Sequence, residues 1–192
     1  MDESSEGATP QVHAGRVYVG MGSNLGDRAG NLLLGVRGML NAGLGVARLS
    51  SIYETEPVDV DEEQPAYLNM VAELCASPQQ QPLPAPERLL ARLLRIEYLL
   101  GRRRDAPRAA RTLDLDLLLY GDELRQSELL TLPHPRLHLR RFVLAPLAEL
   151  APEGLHPVLR KTFGQLLAAL PDQSPVKLWE PKAIEGEMMS DA

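Results

Sequence analysis

Apolar and polar positions alternate along residues 111–120, RTLDLDLLLY. In an extended chain this puts Leu113, Leu115, Leu117 and Leu119 on one side and Thr112, Asp114, Asp116 and Leu118 on the other. The pattern predicts a strand with a leucine face in the core and a carboxylate-bearing face turned away from it. The same alternation marks 67–75 (YLNMVAELC) as a strand, and β-rich runs at 16–21 (RVYVGM) and 49–56 predict two more. Elsewhere the period changes. Leu32, Leu33, Val36, Met39 and Leu40 recur at helical spacing before the stop signals Gly43 and Gly45, giving a first helix over 31–44. Leu89, Leu90, Leu93, Leu94, Ile96 and Leu100 form a wide apolar stripe that ends at Gly101, giving a second over 87–100. Thr162 and Gln165 make a capping-box pair ahead of Leu166, Leu167 and Leu170, which predicts a short last helix.

Strand, helix, strand, strand, helix, strand is the order of an α+β fold, a ferredoxin-like α/β sandwich with its helices on one face of the sheet. Residues 77–86 (SPQQQPLPAP) read as a proline- and glutamine-rich surface insertion. The polar, acidic stretch 1–14 reads as a disordered leader and 179–192 as a flexible acidic tail, leaving one domain over 15–178. A chain of 192 residues fits that single core.

Composition removes several classes of function. With 26 acidic against 20 basic residues the net charge is −6, the wrong sign for a general nucleic-acid or anionic-membrane binder. The sequence has no run of 18 apolar residues and starts without a signal-peptide pattern. Cys75 is the only cysteine, so no disulfide can form within the chain and a reducing compartment suits it. Its apolar neighbours predict a small buried side chain. The expectation is a cytoplasmic protein acting as a monomer, with no nucleic-acid or membrane partner.

The aspartate strand and the segment before it carry the chemistry. Two carboxylates two residues apart on one strand face stand roughly 6–7 Å apart and could reach a pair of hard cations about 3.5–4 Å from each other, magnesium being the natural guest. Arg102, Arg103, Arg104, Arg108 and Arg111 lead into the strand, and guanidinium forks match phosphate oxygens. Carboxylates, metal and arginines together describe a nucleotide polyphosphate. Taken singly, an LDLDL run is also an edge strand with a wet polar face, and an arginine run is also a solvated loop. Glu97 sits in a helix's last turn, where a carboxylate opposes the macrodipole, so it either pairs with Arg102 or Arg104 or serves a ligand. His134, between Pro133 and Pro135, is either aimed at a phosphate or a plain surface group. The turn over 22–27 either brings bare backbone to a ligand or only joins strand to helix.

Six blocks in order, GSNLGDR (22–28), YETEPV (53–58), QPAYLN (64–69), IEYLLGRRR (96–104), RTLDLDLLLYG (111–121) and PHPRLHLRRFVLAPLAELAP (133–152), resemble the signatures of the 6-hydroxymethyl-7,8-dihydropterin pyrophosphokinase family. The resemblance runs from about residue 16 to residue 170. It implies transfer of a pyrophosphoryl group from MgATP to the pterin hydroxymethyl oxygen, with release of AMP, in folate biosynthesis. Position by position it implies that Asp114 and Asp116 hold two magnesium ions (Mg2+), and that Arg102, Arg104, Arg108 and Arg111 belong to a loop closing over the phosphates. By the same resemblance His134 and Arg140 contact phosphate and Glu97 lies beside the nucleotide. Tyr67 and Phe142 would sandwich the pterin ring, and Asn69 with the backbone around Thr55, Pro57 and Val58 would meet its hydrogen-bonding edge, with Gly22 lining the same pocket. One departure stands out: the family's tryptophan and Gly-Pro pair before the last arginine are replaced here by Ala109-Ala110, one residue shorter. Two other readings are a family member weakened by that change and a ferredoxin-like binding module whose arginine loop grips RNA; the acidic total and the strand aspartates speak against the second.

Overall fold

Val17, Val19 and Met21 alternate with Tyr18, Gly20 and Gly22 along β1 (Val17–Ser23), in a computed structural model that describes residues 15–57, 64–77, 82–102 and 109–181. Asp27 ends the turn after β1 by accepting the Gly30 N–H at 3.0 Å, and this cap starts α1 (Arg28–Asn41) ahead of the expected start at residue 31. The chain continues through β2 (Gly45–Leu49), β3 (Tyr53–Thr55), β4 (Tyr67–Cys75), α2 (Pro86–Leu99) and β5 (Asp114–Tyr120). A hairpin of β6 (Arg125–Gln126) and β7 (Thr131–Leu132), a 3-10 turn at Leu137–Leu139, α3 (Arg141–Leu150), α4 (Phe163–Ala169) and β8 (Val176–Leu178) complete it.

The sheet runs β5-β1-β4-β3-β8, with β2 beside the far part of β4, and its β5-β1-β4-β3 centre is the antiparallel ferredoxin-like order. The run expected as one strand over 49–56 is two. At the break Ser50 exchanges backbone for side chain: its N–H donates to the Val71 carbonyl at 2.9 Å and its Oγ accepts the Val71 N–H at 2.9 Å.

Helices α1 and α2 cover one face, over Val17, Val19, Met21, Leu68, Met70, Leu113, Leu115 and Leu117. Leu32 and Met39 of α1 are fully buried there, contributing about 1.5–3 kcal/mol each. Gly38 allows α1 to lie close on α2, since a Cβ there would stand 2.6 Å from Ile96 Cγ2. The expectation that helices occupy only this face is corrected: α3 and α4 pack on the other face against Tyr18, Val71, Leu118 and Leu119. The apolar LAPLAELAP run gave no such helix because Pro146 sits inside α3.

Leu119 is also corrected. Tyr18 pairs with Leu119 but Val19 pairs with Leu117, so Leu118 is an extra residue in β5. The bulge reverses the alternation beyond it and turns Leu119 to the α3 side. Cys75, expected buried, is exposed at the end of β4. The segment read as a free surface insertion is anchored at both ends: Ser77 Oγ donates to the Gly43 carbonyl at 2.8 Å, Leu83 packs on the first core, and Tyr120 donates to the Pro84 carbonyl at 3.0 Å. Trp179 packs on that core too, its N–H donating to the Ile52 carbonyl at 2.9 Å. Among the described residues no helix is long and apolar enough to cross a membrane.

Candidate active site

On the second face α3 and α4 cover the Tyr18 end of the strands, and the other end carries polar side chains around two glycines. Asp116 pairs in register with Gly20 and Asp114 with Gly22, so each carboxylate faces a β1 position that has no side chain to cover it. On the opposite flank Gly22 pairs with Asn69. A Cβ on Gly22 would stand 3.2 Å from Asn69 Oδ1 and 3.9 Å from both the Asp114 Cβ and the Tyr67 ring, so the glycine keeps the floor of the site open.

Asp114 is held by two guanidiniums. Arg102 Nη1 lies 2.6 Å from its Oδ1 and Arg111 Nη1 2.8 Å from its Oδ2. Arg102 also pairs with Glu97, which is only 2% exposed and accepts the Leu115 N–H at 2.7 Å. Of the two readings for Glu97, the geometry gives the ion pair with Arg102; the pair fixes the end of α2 to β5. Burial works against the charge on Arg111, but Asp114 and Tyr67 reverse this and its pKa is raised. Burial likewise raises the Tyr67 hydroxyl, partly offset by Arg111.

The charges of Arg140 and Arg102 act on Asp116 and favour its ionised form. Burial, and then the charge of Asp114, push its carboxyl up to about 6. The His134 backbone N–H donates to the Leu118 carbonyl at 2.9 Å, which fixes the residue against β5 at the bulge. Burial, with Arg140 and Arg136 nearby, lowers its imidazole to about 4. His134 is therefore neutral at pH 7, and because Nδ1 accepts the Arg136 N–H at 3.3 Å, its proton sits on Nε2. Arg140, at the N-cap of α3, lies over the Phe142 ring at 5.3 Å.

The remaining expected residues gather at the β3–β4 end. Asn69 Nδ2 donates to Thr55 Oγ1 at 2.8 Å, and Thr55 pairs in register with Tyr67. Pro57 follows β3. Val58, Arg103, Arg104 and Arg108 lie outside the described residues. The ring pairs among the described residues are Tyr18 with Phe163 and His138 with His156, so Tyr67 and Phe142 do not stack on each other.

Two features gave no local sequence signal. Asn24, 1% exposed, bridges β1 to Arg111 and to the entry of β4. Glu149 of α3 accepts from the Ser51 N–H at 3.0 Å and from the Tyr53 hydroxyl at 2.9 Å, clamping α3 to β3; burial and this carboxylate push Tyr53 up to about 12. An asparagine ending a glycine-rich turn, and a glutamate in an apolar helix, were the only hints of them.

A model of the 7,8-dihydro-6-hydroxymethylpterin-pyrophosphokinase (HPPK) family matches residues 18–152. The chain is 38% identical over 167 residues to the 2-amino-4-hydroxy-6-hydroxymethyldihydropteridine pyrophosphokinase of Bacillus subtilis, covering 86% of this chain and 91% of that one. To the protein of the same name from Synechocystis it is 42% identical over 159 residues, covering 82% and 77%. In fold it is similar to a Plasmodium falciparum HPPK-DHPS crystal structure, with a TM-score of 0.58 at 15% identity, over 83% of this chain and 46% of that longer one. With the family model running from β1 through the aspartate strand to α3, the chain belongs to the 7,8-dihydro-6-hydroxymethylpterin-pyrophosphokinase family, the MgATP-using pyrophosphokinases of folate biosynthesis.

Proposed function

We propose that the open end of the second sheet face binds MgATP across Asp114 and Asp116 and the reduced pterin between Tyr67 and Phe142, and transfers pyrophosphate between them. The observation that carries this reading is the pair of carboxylates opposite Gly20 and Gly22, with two guanidiniums already on Asp114. The pterin hydroxymethyl oxygen attacks the β-phosphorus of ATP, the bond from that phosphorus to the α,β-bridging oxygen breaks, and AMP leaves while the hydroxyl proton passes to solvent. No protein nucleophile is needed. Catalysis here is positioning and charge neutralisation.

The donor set fits magnesium. Among the described residues no group of three or more histidine, cysteine or acidic side chains gathers, so the protein offers Asp114 and Asp116 and the remaining oxygens come from phosphate and water, as this cation prefers. Asp116 in particular is a carboxyl whose proton affinity is raised first by burial and then by the charge of Asp114, and a bound cation would favour its ionised form. Asp114 and Asp116 would hold the two Mg2+, which would supply neutralisation of the triphosphate charge.

The protein's own groups do the rest. Arg102 and Arg111 move from Asp114 to phosphate oxygens when the nucleotide arrives, and Arg104 and Arg108 join them. His134 offers a neutral Nε2–H donor, Arg140 adds positive charge near Asp116, and Glu97 pairs with the Arg102 guanidinium while its carbonyl accepts the Arg102 N–H at 3.0 Å. Tyr67 and Phe142 stack on the two pterin faces, while Asn69, aligned by Thr55, meets the ring's polar edge beside Gly22, Pro57 and Val58. We read the chain as a monomer acting in the cytoplasm on these two substrates. The test is incubation with MgATP and 6-hydroxymethyl-7,8-dihydropterin with assay for AMP, beside a binding titration of each. Production of AMP that is lost in Asp114→Asn and Asp116→Asn supports it; binding of both substrates without AMP would leave a weakened family member.

A further inference from the structure

The outer surface of α1 and α2, on the side of the sheet away from the catalytic face, is apolar where a helix surface is normally wet. Leu99 is 68% exposed and Leu34 44%. Between the two helices runs a groove of about 570 Å³ lined by Leu34, Leu99 and Leu100 and rimmed by Arg37, Arg92 and Arg95. A concave apolar floor open to water on a protein otherwise charged −6 calls for an occupant.

We infer that this groove is a docking site for an acidic amphipathic helix of a partner protein. The sign of the charge decides the chemistry. The two helices carry Arg37, Arg88, Arg92 and Arg95 near the groove, and their only acids are Glu87, in the first turn of α2, and Glu97, which is buried against Arg102. Among the described residues Arg37 and Arg95 are exposed and take part in no salt bridge, whereas Arg92 is tied to the Ala42 carbonyl at 2.9 Å. A second copy of the chain, docked face to face by two-fold symmetry, would set these arginines against each other with no carboxylates to receive them. A flat anionic bilayer fits poorly, because the site is concave and the chain as a whole is acidic. A helix whose leucines or methionines enter the groove and whose glutamates meet the arginine rim satisfies both features. The surface is separate from the carboxylates and glycines of the catalytic face, so a partner held here leaves substrate access open.

Two fluorescent 16-residue helical peptides with the same leucine spacing, one with glutamate and one with lysine at its polar positions, test the assignment on the full chain. The acidic peptide binds saturably; the double variant Arg37→Glu with Arg95→Glu weakens it by about tenfold or more, as does added salt, and AMP production is unchanged. Leu99→Ser, at an exposed position, weakens the same peptide without loss of fold by circular dichroism. Equal binding of the two peptides, or binding that ignores the charge reversal, overturns the inference. So does charge-reversal-sensitive dimerisation in sedimentation, or charge-reversal-sensitive pelleting with phosphatidylserine vesicles, which assign the face to a second copy or to a membrane.

Discussion

Asn24 and Arg111 hold each other twice: the Asn24 N–H donates to the Arg111 carbonyl at 3.1 Å, and the Arg111 N–H donates to Asn24 Oδ1 at 2.8 Å. The same side chain donates through Nδ2 to Gln64 Oε1 at 3.1 Å and to the Pro65 carbonyl at 3.4 Å. One buried amide therefore ties the arginine that grips Asp114 to the segment that delivers Tyr67. Asn24→Ala leaves these partners without it, at a cost of about 1–3 kcal/mol in urea unfolding. Turnover falls as well, because Arg111 loses its backbone anchor. Asn24→Asp keeps the acceptor and loses the Nδ2 donors, so it falls between wild type and Ala in both measurements.

The two aspartates separate when stability is measured beside activity. Either change to Asn lowers AMP production by at least about 10²-fold, as for loss of one preorganised electrostatic group. Asp114→Asn removes the acceptor of two guanidiniums and lowers the urea midpoint of the metal-free protein. Asp116→Asn removes a carboxyl that the fold holds against its charge, and raises that midpoint at pH 7.5. Midpoints that move in the same direction would contradict the division of roles.

The pH dependence of the metal-free protein follows from Asp116 and His134, and the two oppose each other. Asp116 is raised from 3.8 to about 6, so the stability it contributes is complete at low pH and is lost as pH rises through that window. His134 is lowered from 6.5 to about 4, so its contribution is complete above the upper value and is lost as pH falls toward the lower one. Wild type is therefore nearly flat between about pH 4 and 6 as far as these groups act. His134→Gln exposes a stability that declines as pH rises, and Asp116→Asn one that increases, read from urea midpoints across the range.

How far the sequence disclosed this molecule depends on whether a feature was local. The alternation around Asp114 and Asp116, the stripe ending at Gly101 and the Thr162–Gln165 box were legible because each is set by neighbours along the chain, and the capping box is present with both of its hydrogen bonds. The bulge was not, because Leu117, Leu118 and Leu119 are the same residue and a run of leucine hides a change of phase. Helix α3 was masked by Pro146, and β6 and β7, of two residues each, are too short for any period. In the site, the pairing of Glu97 with Arg102, five residues on, stood as one of two readings, while the pairing of Arg111 with Asp114 was not foreseen and Asn24 reaches Arg111 across 87 positions, which only the fold brings together.

Tyr67→Ala and Phe142→Ala each weaken the pterin by about 0.5–1.5 kcal/mol of stacking plus the lost apolar contact, in calorimetric titration. They differ toward ATP. Phe142 supports Arg140 at 5.3 Å, so its loss also loosens a charge beside Asp116, whereas Phe142→Tyr keeps both the stack and the cation contact. Equal loss of pterin and nucleotide in both Ala variants would make the rings part of the core only.

Magnesium without nucleotide meets an Asp114 that two arginines already neutralise. The free ion must displace guanidiniums without bringing them a new acceptor, while MgATP brings phosphate oxygens to receive them, so the same charges that oppose the metal alone favour the complex. Mg2+ by itself therefore binds weakly, and its affinity rises by orders of magnitude when a nonhydrolysable ATP analogue is present. Removing the arginines reverses part of this. In Arg102→Ala with Arg111→Ala, Asp114 is freed, so nucleotide-free Mg2+ binding tightens severalfold while AMP production falls by about 10²–10³-fold. Calorimetry with the metal alone reads the first effect and the AMP assay the second. If the double variant bound the metal alone no better than wild type, the exchange of arginines from Asp114 to phosphate would be wrong, whatever happened to turnover.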